Sequence, residues 1–150
     1  MGAAYFYHLT HQPLETALPQ LVARARGAGW RVAVRVGEAD RLEALDKALW
    51  SGPAEEFPAH GIADGAHDAD QPVLLTTAMD TPNGAACLMT VSGAEVTPED
   101  CAAMERVCVI FDGTDGAALD QARVQWKALT AAEIEAQYWS QESGRWERKR

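Results

Sequence analysis

No stretch of this chain approaches the roughly 20 consecutive apolar residues that a membrane-spanning helix needs. The N-terminus, Met1-Gly2-Ala3-Ala4-Tyr5, lacks the basic segment and long apolar core of a secretion signal. Phe6 stands where N-myristoylation after Gly2 requires Ser or Thr. A cytoplasmic location is the expectation, with no membrane partner. Cysteine is scarce as well. Cys87, Cys101 and Cys108 are odd in number, form no C-x-x-C pair and have no basic cluster beside them, so they are expected to be small buried hydrophobes.

Catalytic signatures are missing too. Neither early strand–helix turn carries G-x-G-x-x-G, and G-x-x-x-x-G-K-S/T occurs nowhere, which removes the usual glycine-rich cradles for phosphate. The turn at Asp112-Gly113-Thr114-Asp115-Gly116 has two glycines at a helix start, but its two aspartates would repel phosphate and are better read as helix caps. His60, Asp64, His67, Asp68 and Asp70 fit no zinc spacing and no calcium loop, and are read as loop solvation. There is no G-x-S-x-G elbow, and none of Ser51, Ser92, Ser140 and Ser143 sits in a sharp strand-to-helix turn. No catalytic site, metal or cofactor is expected.

What the chain does have is a core's worth of apolar residues, 47% of 150, and a net charge of −9. That size and composition describe a single ordinary globular domain. The charge is unevenly spread. Residues 1–105 hold 6 Lys/Arg against 15 Asp/Glu, whereas residues 106–150 hold 7 of each. An acidic body disfavours direct binding of DNA, which runs on phosphate neutralisation. An anionic partner would be received by the C-terminal third.

Ala4–Leu9 reads as a first, aromatic-rich strand, with His8 a core or strand-edge histidine. Leu14, Leu18, Leu21, Val22 and Ala25 follow at helical spacing up to Gly27-Ala28-Gly29, with Pro19 tolerable in a first turn and kinking the helix otherwise. Trp30–Val36 alternates as a second strand. Asp40 and Glu43 fit a capping-box variant ahead of a helix ending near Trp50. Residues 51–72 read as a long loop carrying Gly52, Pro53, Pro58, Gly61 and Gly65.

Pro72–Thr77 and Ala86–Val91 are strands joined too closely for a parallel crossover, hence antiparallel if they pair, or else not neighbours. Thr97 is a plausible N-cap for a short helix opening at Pro98-Glu99-Asp100, and Val107–Phe111 is a buried fifth strand. A last helix is expected from about Ala117 to Ser140, followed by a basic tail over residues 141–150. The predicted architecture is α/β: a single three-layer domain with a mostly parallel or mixed open sheet of about five strands flanked by helices.

Two surfaces suggest an interaction module. Trp50 and Phe57 are aromatics of the kind that anchor interfaces, or else fold inward over the sheet. On the last helix, Leu119, Ala122 and Trp126 share one face, and Arg123 and Lys127 sit four apart beside it. An aromatic edged by two cations suits an acidic, aromatic-tipped peptide. The rival is a small doubly wound nucleotide-binding protein or enzyme, with its ligand at the carboxyl ends of parallel strands.

Phe6-Tyr7-His8-Leu9, Leu45-Asp46-Lys47-Ala48-Leu49-Trp50, Pro53-Ala54-Glu55-Glu56-Phe57 with His60-Gly61, Pro72-Val73, and Ala122-Arg123 with Trp126-Lys127 occur in an order that resembles the chi subunit of bacterial DNA polymerase III. The resemblance spans nearly the whole chain. It implies a Rossmann-like domain without a dinucleotide motif and without a catalytic site of its own. Such a subunit belongs to the clamp-loader part of a DNA-directed DNA polymerase, a nucleotidyltransferase holoenzyme.

It implies as partners the acidic C-terminal tail of single-stranded DNA-binding protein and, on another surface, the psi subunit or a different clamp-loader or helicase-type protein, with DNA engaged indirectly. By the same resemblance, Arg123 and Trp126 match the tail-binding arginine and its aromatic neighbour, and Lys127 supports them. The apolar contact at the end of the fifth strand falls on Phe111 or Asp112, with Phe111 expected to line the pocket. Trp50 and Phe57 match the aromatic pair of the second surface. Leu119 stands where the family often has a lysine.

Overall fold

The computed structural model describes residues 3–10, 14–50, 60–62, 72–77, 84–140 and 146–149, without the side chains of 49, 50 and 60–62. The elements are β1 (Ala3–Leu9), α1 (Leu14–Gly27), β2 (Val32–Val36), a 3₁₀ turn (Ala39–Arg41), α2 (Leu42–Trp50), β3 (His60–Ile62), β4 (Val73–Thr76), β5 (Cys87–Val91), α3 (Pro98–Ala103), β6 (Arg106–Asp112), α4 (Gly116–Ala131), β7 (Ala136–Ser140) and β8 (Glu147–Arg148). They form one α/β domain around an eight-stranded sheet in the order β3-β4-β2-β5-β6-β1-β7-β8. All neighbours are parallel except β7 and β8.

Because side chains alternate across a strand, the sheet makes two cores. Tyr7 and Leu9 of β1, Val32, Val34 and Val36 of β2, and Cys108 and Ile110 of β6 meet Leu18, Leu21 and Val22 of α1 and Leu45 of α2. On the other face Ala4, Phe6, Leu88, Val107, Val109 and Phe111 pack with Cys101 of α3 and with Ala122 and Leu129 of α4. Layers on both faces explain why the central strands read as nearly continuous apolar runs.

One polar side chain interrupts this. Arg35 of β2 is 1% exposed. Its Nη1 donates to Asp100 Oδ2 at 2.9 Å and to the carbonyl of Glu95 at 2.9 Å, and its Nη2 reaches Asp100 Oδ1 at 3.3 Å. Asp100 also closes the capping box of α3: it accepts from the Thr97 backbone amide at 2.9 Å, while Thr97 Oγ1 accepts from the Asp100 amide at 3.1 Å. One carboxylate therefore both caps α3 and ties it to the sheet.

Several expectations need correction. Among the described residues eight strands form, where about five were expected. β3 lies inside the stretch expected to be loop, and β8 inside the expected tail. Of the two alternatives for β4 and β5 the second holds: they are not neighbours, since β2 lies between them. Pro19 lies inside α1, beyond the first turn, and the helix continues to Gly27. The α2 entry is no capping box at Asp40. A 3₁₀ turn leads into it, with Glu38 at the N-cap and no side-chain cap bond.

The largest difference is the last helix, which ends at Ala131 rather than Ser140. Glu133 adopts φ +64°, its amide bonds the Thr130 carbonyl at 3.0 Å, and the Ile134 amide bonds the Leu129 carbonyl at 3.0 Å. Those paired bonds are a Schellman terminator. Ile134 packs in the same core as Leu129, and the chain leaves as β7 to pair with β1.

Candidate functional site

Helix α4 is started by Asp115, whose carboxylate accepts from the Ala117 amide at 3.0 Å and the Ala118 amide at 3.4 Å. Gln121 and Gln125 hold one side of it to the turn after β5, donating to the carbonyls of Gly93 at 2.8 Å and Ala94 at 3.1 Å. Arg123 and Lys127 are exposed, and both border a groove of about 500 Å³.

The groove is built from elements distant in sequence. Phe6 and His8 come from β1, Phe111 from β6, Tyr138 from β7, and Leu119, Ala122 and Trp126 from α4. Trp126 meets Phe6 edge-on at 5.2 Å and Tyr138 at 6.3 Å. His8 stacks on Phe111 at 5.1 Å, and its Nδ1 is hydrogen-bonded to the Tyr138 hydroxyl. A Cβ on Gly113 would fall 1.7 Å from His8 Nε2, so glycine there makes room for the ring. A third cation, Lys149, borders the groove from the end of the C-terminal hairpin.

Arg123, Trp126, Lys127 and Phe111 are therefore brought together, and of the pair Phe111/Asp112 it is Phe111 that lines the groove. Arg123 Nη1 lies 3.6 Å from Asp120 Oδ1, but the two side chains are 68% and 77% exposed. A pair so exposed is worth little and leaves the guanidinium open to a competing carboxylate. His8 and Tyr138 were not foreseen as groove residues, and Lys149 was expected only in a basic tail that steers the ligand's approach. The even-numbered alternation of β1 could have put His8 beside Phe6; reading residue 138 as helix hid the other two.

Trp50 closes α2, with its side chain outside the described residues, and Phe57 lies outside them altogether. His60 opens β3, and Asp64, His67, Asp68 and Asp70 lie outside the described residues. All three cysteines are buried and free. Burial pushes the Cys101 thiol up to about 11. The hydrogen bond to Cys87, which favours the protonated thiol, together with burial raises Cys108 well above a normal thiol. Neither is an activated thiolate.

A larger cavity, about 780 Å³, opens where β1, β5 and β6 end, the position at which doubly wound sheets hold ligands. Its border includes Glu15, Glu38, Asp112 and Asp115. The first free amides of α4, which a phosphate would need, are already taken by Asp115. That arrangement counts against the nucleotide-binding alternative.

Comparison with known proteins agrees with the motif order. Residues 1–137 match the family described as DNA polymerase III chi subunit, HolC. A protein of Rickettsia prowazekii (strain Madrid E), named "Probable DNA polymerase III subunit chi", is 22% identical over 111 residues, covering 71% of this chain and 67% of that protein.

Proposed function

The chain belongs to the DNA polymerase III chi subunit family, and on that premise we propose that it is a non-catalytic accessory subunit of the clamp-loader complex whose α4 groove receives the acidic C-terminal tail of single-stranded DNA-binding protein. The observation that carries this is the placement of exposed Arg123, Lys127 and Lys149 around an aromatic floor in a chain of net charge −9. A local cationic groove on an acidic body attracts one acidic ligand and repels others. Arg123 forms charge-assisted hydrogen bonds to the tail's terminal or side-chain carboxylate. Trp126, Phe6 and Phe111 receive its terminal aromatic. Lys127 speeds encounter and makes it salt-dependent.

Arg123→Ala is expected to weaken binding of an acidic tail peptide by about 1.5–3 kcal/mol, the scale of a hydrogen bond to a charged group. Fluorescence anisotropy on wild type and variant measures it, and equal affinities would remove Arg123 from the site.

A second surface, carrying Trp50 and Phe57, docks the psi subunit or another clamp-loader or helicase-type partner. Trp50→Ala and Phe57→Ala should leave tail binding intact and abolish co-purification of that partner. Unfolding of either variant would instead make these aromatics part of the core. The chain serves DNA replication in the cytoplasm and meets DNA through its partners. Among the described residues no helix is long and apolar enough to cross a membrane.

A further inference from the structure

The family match stops at residue 137, yet the groove does not. Tyr138 and Lys149 both line it, and both belong to the segment that follows. That segment is an antiparallel hairpin in which Trp139 faces Arg148 and Ser140 faces Glu147. Its register is held at the groove by the Lys149 amide, which donates to the Tyr138 carbonyl at 2.6 Å, and Tyr138 is in turn held by His8.

Alternation along β8 then matters. Arg148 shares a side of the hairpin with Trp139, which stacks with Tyr5 and Tyr7 on the sheet face away from α4. Lys149, one residue on, turns to the groove. Its Nζ lies 3.6 Å from Glu147 Oε2, with the two side chains 41% and 42% exposed. This is a loose pair that an incoming carboxylate can replace.

Resting on the reading of the groove as the acidic-tail site, we propose that the β7–β8 hairpin is its second wall, with Lys149 taking a side-chain carboxylate of the bound peptide opposite the one held by Arg123. The groove then selects a run of acidic residues rather than a single terminal carboxylate. Glu147 is the resident counterion that a weakly acidic ligand fails to displace.

The test uses the full chain and two labelled synthetic peptides, each ending in phenylalanine with a free carboxylate. One has aspartates upstream and the other asparagines in the same places. Lys149→Gln should weaken the aspartate peptide about three- to tenfold and leave the asparagine peptide within about twofold, with Lys149→Arg restoring binding. The logarithmic salt dependence of the aspartate peptide should also flatten. Glu147→Gln should tighten the aspartate peptide by about two- to threefold, since it removes the competing carboxylate. Equal losses for both peptides, or no loss for either, would overturn the second wall while leaving Arg123 in the site. Failure of the wild-type chain to bind either peptide would remove the tail-site reading and this proposal with it.

Discussion

Asp100→Ala is expected to cost about 3–5 kcal/mol of folding stability, the scale of breaking a buried ion pair from one side. Arg35 sits in the middle of the sheet at 1% exposure, with Asp100 as its carboxylate partner at 2.9 Å. Alanine would leave that guanidinium buried without its Asp100 carboxylate, and would also remove the carboxylate half of the α3 capping box. For a chain of this size about 2–4 °C of melting temperature goes with each kcal/mol, so the midpoint should fall by roughly 10 °C. Arg35→Met combined with Asp100→Asn should recover much of the loss, because removing a pair together avoids the stranded charge. Urea melts of the wild type and the two variants decide the matter. A loss below about 1 kcal/mol for Asp100→Ala would show that the pair is not structurally important.

The same residue gives a dependence on pH. Burial alone would raise the Asp100 carboxyl, but the hydrogen bonds from Arg35 and Thr97 and the charge of Arg35 outweigh it and hold the folded value below the ordinary one. A carboxyl lowered by folding contributes stability that is present above the unfolded pKa, about 3.9, and is lost as pH falls through the folded value. Wild type should therefore lose stability in that acid range more steeply than Asp100→Asn.

Phe6→Ala should destabilise by a similar amount, about 3–5 kcal/mol, through the cavity left in the core between the sheet and α4. Phe6 is 1% exposed and is the ring against which Trp126 stands edge-on. The substitution therefore removes core and groove floor together, and peptide binding should fall with stability. Phe6→Leu keeps most of the volume and should cost under about 1.5 kcal/mol. Tryptophan fluorescence during unfolding follows both variants. Tail binding unaffected in a folded Phe6→Ala protein would mean that the floor plays no part in recognition.

The two helix endings show why one part of the fold was legible and another was not. α1 and α4 both close with a Schellman motif. In α1 the left-handed position is Gly29, at φ +85°, with the Trp30 amide reaching the Ala25 carbonyl. A glycine there is the usual signal, and Gly27-Ala28-Gly29 is readable as a stop. In α4 the same position is Glu133, a residue that favours helix, amid Ala131, Ala132 and Glu135. What ends α4 is the burial of Ile134 and the bonding of β7 to β1, and neither is a local property.

The groove divides in the same manner. Arg123, Trp126 and Lys127 share a helix, so their spacing alone sets them side by side. Phe111 came from the motif order. His8 and Tyr138 are 130 residues apart, and only the sheet order brings them into contact. Parallel strands separate what they pair, so such contacts carry no short-range signature.

The position of β1 has a further consequence for how the chain can be cut or arrested. Its two partners, β6 and β7, both lie in the last third of the sequence. Synthesis therefore delivers the most aromatic strand first and its partners last. A product ending before residue 106 keeps Tyr5, Phe6 and Tyr7 with both backbone edges bare, the type of surface on which chains join to one another. One that ends between β6 and β7 leaves a single edge open.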